Sequence, residues 1–125
     1  MRGWSVVIFE QNVELDQAGP LVTARVLTPL LSLAETQDIT GELSERMRYD
    51  NARLFVLDLA EVEFMDSGCI GGLVQFLQDV EHIHGRIALA NCQKNVASLF
   101  EVTRLDRVFQ LYDCTEDAQE ALTAA

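Results

Sequence analysis

The segment Asp66-Ser67-Gly68-Cys69 holds the side chains whose types and spacing best suit chemistry in this chain of 125 residues. A serine hydroxyl accepts a phosphate or, with a base beside it, acts as a nucleophile. Gly71 and Gly72 follow at once and leave the backbone bare beside the hydroxyl. Because bare backbone lets a large partner come close, we interpret Ser67 as a group that another protein contacts or modifies.

A nucleophilic enzyme is the alternative interpretation of Ser67 and Cys69, and it needs a base held by a third group. The histidines, His82 and His84, come more than ten residues later, roughly 20 Å along a helix axis at about 1.5 Å per residue. They are two positions apart and share no helix face, and the three cysteines lack CxxC spacing. We therefore predict no enzyme activity, no metal site and no cofactor.

Two neighbouring elements position this segment. The nearly continuous apolar run over residues 54–59 predicts a strand that is buried on both faces. After it, an i, i+3, i+4, i+7 pattern predicts an amphipathic helix, carried by Ile70, Leu73, Val74, Leu77 and Val80. Ser67 lies where the strand meets the helix, and its hydroxyl makes it the predicted N-cap.

The remaining elements alternate in the same way. We predict further strands over residues 6–9, 22–27, 87–90 and 108–111, and further helices over 33–48, over 96–103 and from Thr115 onward. Asp16-Gln17-Ala18-Gly19-Pro20 has turn chemistry, and Gly85 stands where a helix C-cap belongs. The order implies an α/β layer fold in a single domain over residues 1–125.

The composition limits the classes of partner. The chain carries 20 Asp+Glu against 9 Lys+Arg, a formal net charge of -11, with 49% hydrophobic residues. This balance favours a folded core and argues against nucleic acid or an anionic membrane as partner. The longest mostly apolar run, residues 26–34, is about half a membrane span, so no membrane insertion is expected. Free cysteines suit the cytoplasm. The stretch between Arg53 and Arg86 lacks Lys and Arg, which suits a partner with a basic docking surface.

Residues 57–73, LDLAEVEFMDSGCIGGL, resemble the signature of STAS domains, which are shared by bacterial anti-sigma factor antagonists and the tails of sulfate transporters. GRIALAN at 85–91 and LFEVTRLDRVF at 99–109 match the next strand and the helix and strand that follow, so the resemblance covers residues 54–122. It implies an α/β, STAS-like fold, with a mixed β-sheet of about five strands and about four helices mainly on one face.

The resemblance also implies a regulatory protein–protein interaction module of the anti-sigma factor antagonist type. In such proteins an anti-sigma factor serine kinase phosphorylates the serine after the Asp, and a PP2C-type phosphatase restores it. Carried over, Ser67 is the phosphorylation site. The partner-binding residues would be Asp66, Ser67, Gly68, Cys69, Gly71, Gly72, Ser32 and Asn91.

The chain departs from the family pattern at three places. Gly68-Cys69 replace the usual Ser-Gly after the phosphoacceptor, residues 30–32 lack two acids that help contact the partner, and Arg104 replaces a helix-ending Gly. The missing acids and the missing second hydroxyl favour an alternative, a STAS scaffold or adaptor that is not phosphorylated and binds a transporter subunit or signalling complex. A homodimer paired through an N-terminal edge from Trp4 to Phe9 also stays open.

Overall fold

The computed structural model describes the backbone of residues 6–9 and all atoms of residues 12–124. Trp4, at the start of the proposed pairing edge, lies outside the described residues. The elements are strands β1 (Val6–Phe9), β2 (Val13–Ala18), β3 (Leu21–Val26), β4 (Leu30–Leu31), β5 (Leu54–Asp58), β6 (Phe64–Met65), β7 (Arg86–Ala90) and β8 (Gln110–Tyr112), helices α1 (Leu33–Tyr49), α2 (Ser67–His82), α3 (Lys94–Val102) and α4 (Thr115–Thr123), and a 3-10 turn, Leu105–Arg107.

Six strands form one mixed sheet in the order β1-β2-β3-β5-β7-β8. The pairs β1/β2 and β2/β3 are antiparallel, whereas β3/β5, β5/β7 and β7/β8 are parallel. Strands β4 and β6 pair in parallel as a separate two-stranded ribbon. The α/β, STAS-like fold is thus confirmed, with one strand more than predicted in the main sheet. Strand β1 lies at one edge of that sheet, and pairing of a second copy there stays a prediction.

Strand β5 lies at the centre of the fold and is buried on both faces, as its apolar run predicts. Phe55 and Leu57 belong to the core cluster that includes side chains of α1, α2 and α3. Val56, on the opposite face, packs in a second cluster with Ala118 and Leu122 of α4. Three helices therefore cover one face of the sheet and one helix covers the other, which confirms the prediction of helices mainly on one face.

The predicted turn over residues 16–20 is wrong in its first three residues. Residues 16–18 continue β2 and pair with residues 21–23 of β3, so the turn is confined to Gly19 and Pro20. Gly19 has φ 60, a left-handed conformation that glycine adopts without a steric penalty. Cross-strand pairing thus outweighs the turn preference of Asp16 and its neighbours.

Helix α2 ends in a Schellman turn, and the left-handed position is not the predicted Gly85 but His84, with φ 62. The amide of His84 donates to the Glu81 carbonyl at 3.0 Å, and the amide of Gly85 donates to the Val80 carbonyl at 2.8 Å. Glycine is needed at position 85 for a different reason. A Cβ there would overlap the backbone carbonyl oxygen of Arg53, at the start of β5.

Candidate functional site

Asp66, not Ser67, is the N-cap of α2, which corrects the prediction. Its carboxylate oxygen Oδ1 accepts a hydrogen bond from the Cys69 amide at 2.8 Å, and its backbone is extended. Ser67 is therefore the first residue inside the helix, and it is exposed. Because the Asp66 side chain caps α2, the Ser67 hydroxyl takes no part in capping the helix.

A second helix begins beside Ser67. The two-residue strands β4 and β6 pair Leu30 with Phe64 and Leu31 with Met65, and the Asp66 amide donates to the Leu31 carbonyl at 3.3 Å. Helices α1 and α2 follow these strands directly and therefore start side by side. Their N-termini place two positive dipole ends at the same edge.

Ser32, the N-cap of α1, is linked to Glu35 in the first turn of that helix. The Glu35 carboxylate accepts from the Ser32 amide at 3.1 Å and also from the Ser32 hydroxyl. The hydrogen bonds from Ser32, the side-chain bond above all, lower the pKa of Glu35. The structure thus brings the predicted residue Ser32 next to the Ser67 segment, with the Glu35 carboxylate in the same first turn of α1.

The glycines after Ser67 have different roles. A Cβ at Gly68 would lie 2.8 Å from the Leu33 Cβ, and one at Gly72 would lie 2.9 Å from the Thr36 Cγ2. Both glycines are therefore needed for the close approach of α1 and α2. A Cβ at Gly71 would meet nothing within 4 Å. Of the three predicted positions, only Gly71 has no internal packing reason for lacking a side chain.

Exposed apolar side chains lie near the N-termini of α1 and α2. Leu30 is 54% exposed, Phe64 is 57% exposed and Leu33 is 43% exposed. Leu30 and Phe64 are register partners in the β4/β6 ribbon, so their side chains extend one apolar surface. None of these three side chains was predicted to form an apolar contact surface. The sequence does show large apolar residues just after Pro29 and just before Asp66, at positions where polar loop residues would be expected.

Cys69 is buried against this helix pair and has the character of a packing residue. Burial is the main cause that raises the pKa of its thiol to about 11. Burial likewise raises the pKa of Cys92 to about 11. Since the thiolate is the nucleophile, neither thiol is activated near neutral pH. His82 and His84 lie at the opposite end of α2 from Ser67.

Asn91 lies beyond the carboxyl end of β7 and is engaged by its own chain. Its amide nitrogen Nδ2 donates to Asp58 Oδ1 at 3.2 Å and to Thr115 Oγ at 3.2 Å. Asp58 Oδ1 also accepts from the Ala60 amide at 3.0 Å. The network joins the ends of β5 and β7 to the start of α4. Asn91 therefore fixes the start of the loop that leads to Asp66, a role that the sequence did not predict.

Over residues 6–9 and 12–124, the structure contains no group of three or more His, Cys, Asp or Glu side chains placed to hold a metal ion. No helix among the described residues is long and apolar enough to cross a membrane.

Comparison with known proteins gives a consistent result. The family model described as STAS domain matches residues 12–118. A protein of Thermotoga neapolitana that carries the name of an anti-sigma factor antagonist is 34% identical over 65 residues, 52% of this chain and 58% of that protein. The match thus spans less than two thirds of that relative.

Two solved structures share the fold. An anti-sigma-factor antagonist (STAS) domain protein from Planctomyces limnophilus superposes with a TM-score of 0.77 at 21% identity, covering 90% of this chain and 98% of the other. The Bacillus cell fate determinant SpoIIAA in its phosphorylated form superposes with a TM-score of 0.64 at 16% identity, covering 95% and 98% of the two chains. At these identities the likeness concerns the fold alone.

Proposed function

The chain belongs to the STAS domain family, and from that premise we propose that it is a regulatory binding module of the anti-sigma factor antagonist type, switched by phosphorylation of Ser67. The observation that carries the proposal is the position of Ser67. It is the exposed first residue of α2, its neighbour Asp66 supplies the cap, and exposed apolar side chains surround it. The hydroxyl is thus available to a partner without any change in the fold.

Phosphate on Ser67 would act at the surface and not in the core. It would add up to about two negative charges at the start of α2, where the helix dipole favours an anion. The fold would therefore tolerate the modification. A partner seated on Leu30, Phe64 and the bare backbone at Gly71 would have to remove water from that phosphate, which disfavours the complex.

The partners in this proposal are an anti-sigma factor serine kinase, which binds the unmodified form, and a PP2C-type phosphatase, which restores it. Residues 1–125 would act as one domain in the bacterial cytoplasm. The proposal gives the chain no enzyme activity of its own. The raised pKa of the buried Cys69 thiol and the distance of His82 and His84 along α2 support that view.

Phosphate transfer tests the proposal directly. The full chain is incubated with ATP and the serine kinase encoded beside it, and intact mass spectrometry counts the phosphates. We expect one phosphate on the parent and none on Ser67→Ala. Ser98→Ala, which changes an exposed serine on α3, is the matched control and should still gain one phosphate. Uptake that survives Ser67→Ala would place the switch elsewhere and refute the proposal.

A scaffold or adaptor without phosphorylation is the second candidate, and one observation favours it. Residues 30–32 lie beside the Ser67 segment, yet they present exposed Leu30 and half-buried Ser32 where the family pattern has two acids. A kinase that requires those acids would not recognise the surface. This candidate predicts that a transporter subunit or signalling protein binds the chain equally well before and after Ser67→Ala, with no phosphate gained from any encoded kinase.

A further inference from the structure

A shallow groove of about 410 Å³ lies between α1 and α2, and its lining begins at Gly68, which follows Ser67 in the chain. Leu33, Gln37 and Thr40 line it from α1, and Gly71 and Gln75 line it from α2. The described lining includes no charged side chain. The groove is therefore an uncharged surface beside a strongly acidic segment.

Gly71 is the residue that opens the groove. A glycine inside a helix is unfavourable relative to alanine. Gly72 has a reason for this cost in its contact with Thr36, but a Cβ at Gly71 would meet nothing within 4 Å. The missing side chain at position 71 instead leaves the backbone of α2 accessible from the groove. This is what close approach of an external group requires.

The groove has the dimensions of a helix-docking site. Leu33 lies against Gly68 and Thr36 lies against Gly72, so α1 and α2 run parallel. The lining extends from Leu33 to Thr40 and from Gly68 to Gln75, eight residues and therefore seven residue-to-residue steps on each helix. At about 1.5 Å per residue this is roughly 10 Å, about two helical turns. A ridge of apolar side chains on a third helix fits such a groove between two others.

Charge identifies the kind of helix. Asp66 Oδ1 would lie 3.4 Å from a Cβ at Gly68, at one end of the groove. Asp79 accepts at 3.2 Å from the side-chain nitrogen Nε2 of Gln75, which lines the groove. The sequence between Arg53 and Arg86 has no Lys or Arg, and the chain has a formal net charge of -11. A second copy of this chain would bring the same charges to the contact. Like-charge juxtaposition opposes that contact, whereas Lys and Arg on a partner would favour it.

We propose that the groove between α1 and α2 binds an amphipathic helix of a partner protein, with an apolar ridge seated on Gly71 and with Lys and Arg along its flanks. This inference rests on the proposed function, since it extends the partner-binding surface around Ser67 to Gln37, Thr40 and Gln75. In this proposal an apolar contact takes the place of the acids that residues 30–32 lack. Exposed Leu30 and Phe64 extend that apolar contact beyond the groove.

A synthetic peptide tests the proposal on the full chain. The probe is a helix of about 18 residues, long enough to form in water, with leucine on one face and lysine on the others. Amide chemical shifts should change at Gln37, Thr40, Gly71 and Gln75. A version with glutamate in place of lysine should not bind. Shift changes centred instead on the exposed Val102 and Val108 would overturn the proposal.

Matched substitutions separate docking from general charge attraction. Gly71→Leu fills the groove and should lower the peptide affinity about tenfold or more. Gly41→Leu is the control, because Gly41 is also an exposed helix glycine with nothing within 4 Å of a Cβ. It should leave the affinity unchanged. Gln75→Lys places a positive charge on the wall of the groove without filling it. It should weaken binding even if Gly71→Leu folds poorly.

Two further outcomes distinguish this proposal from others. If the chain forms a dimer that Gly71→Leu abolishes, the occupant is a second copy and the proposal is wrong. The phosphate-transfer experiment is independent of the groove. If Ser67 takes up phosphate but the parent and Gly71→Leu bind the peptide equally well, the groove proposal is refuted and the phosphorylation proposal stands. No uptake at Ser67 with a selective loss in Gly71→Leu would refute the switch alone.

Discussion

Alanine substitution at two adjacent glycines in α2, Gly71 and Gly72, should change the free energy of unfolding by different amounts. Both lie inside the helix, so each substitution gains a similar helix propensity, about 1 kcal/mol. Their surroundings differ. The new Cβ meets nothing within 4 Å at position 71, but at position 72 it lies 2.9 Å from the Thr36 Cγ2. Gly71→Ala should therefore stabilise the fold by about 1 kcal/mol.

The magnitude for Gly72→Ala follows from how little Thr36 can move. Its hydroxyl donates to the Ser32 carbonyl at 2.7 Å, and a β-branched side chain in a helix has few alternative rotamers. Thr36 is also buried, with 1% of its surface exposed. Forcing an extra methyl into such a site costs about 1–3 kcal/mol. After the propensity gain, the net effect lies between neutral and about 2 kcal/mol of destabilisation.

Urea unfolding measures both variants, with Gly41→Ala in α1 as a control that should behave like Gly71→Ala. For a domain of this size, about 1 kcal/mol corresponds to roughly 3 to 5 °C in Tm. The informative quantity is the difference between the two glycine variants, about 1–3 kcal/mol, since the propensity gain cancels. Equal stabilisation by both would show that α1 and α2 do not need their close approach, and the packing argument would fail.

Three more predictions concern single side chains. Asp66→Ala should destabilise the chain by about 1 kcal/mol in urea, while Asp66→Asn, which also caps, should cost much less; equal losses would disprove the cap. Arg104→Gly should raise stability by about 0.5–1 kcal/mol, because Arg104 has φ 63 where glycine is unstrained; a loss would contradict this. The pKa of Cys69 and Cys92 is raised from 9.0 to about 11, so both thiols stay protonated in the fold where the unfolded chain ionises. The contribution of these thiols to the free energy of unfolding should be constant below pH 9 and should fall as the pH rises to about 11, with a smaller fall in Cys92→Ala. An equal fall in the parent and in Cys92→Ala would refute this prediction.

The sequence predicts those parts of the fold that carry a long periodic pattern. Strand β5 has a continuous apolar run and α2 has a full apolar stripe, and both elements occur close to their predicted bounds. Strands β4 and β6 have two residues each, too few to show any alternation. They form because the carbonyls of Pro29 and Leu31 accept hydrogen bonds from the amides of residues 63, 64 and 66, which only folding brings together.

The candidate site was predictable in position but not in detail. Asp66 and Ser67 are both good cap residues one position apart, and local preference does not choose between them. The choice of Asp66 depends on where the β4/β6 ribbon places the start of the helix. The close contacts of Gly68 and Gly72 likewise involve α1, which is remote in sequence. The sequence does not distinguish a glycine that packs against another helix from one that faces a groove.

The acidic surroundings of Ser67 raise a difficulty for the switch, because a phosphate should attract a basic partner more strongly. The resolution lies in distance. Long-range attraction acts on the rate of encounter and is screened beyond about 10 Å in 0.1 M salt. The proposed contact is built largely on exposed Leu30 and Phe64, whose side chains offer the phosphate oxygens no hydrogen bond. Burying the phosphate there costs more free energy than the added electrostatic attraction contributes. Phosphorylation of Ser67 should thus leave the association rate nearly unchanged and speed dissociation. A phosphoprotein that dissociated as slowly as the parent would mean that the partner supplies an arginine to the phosphate.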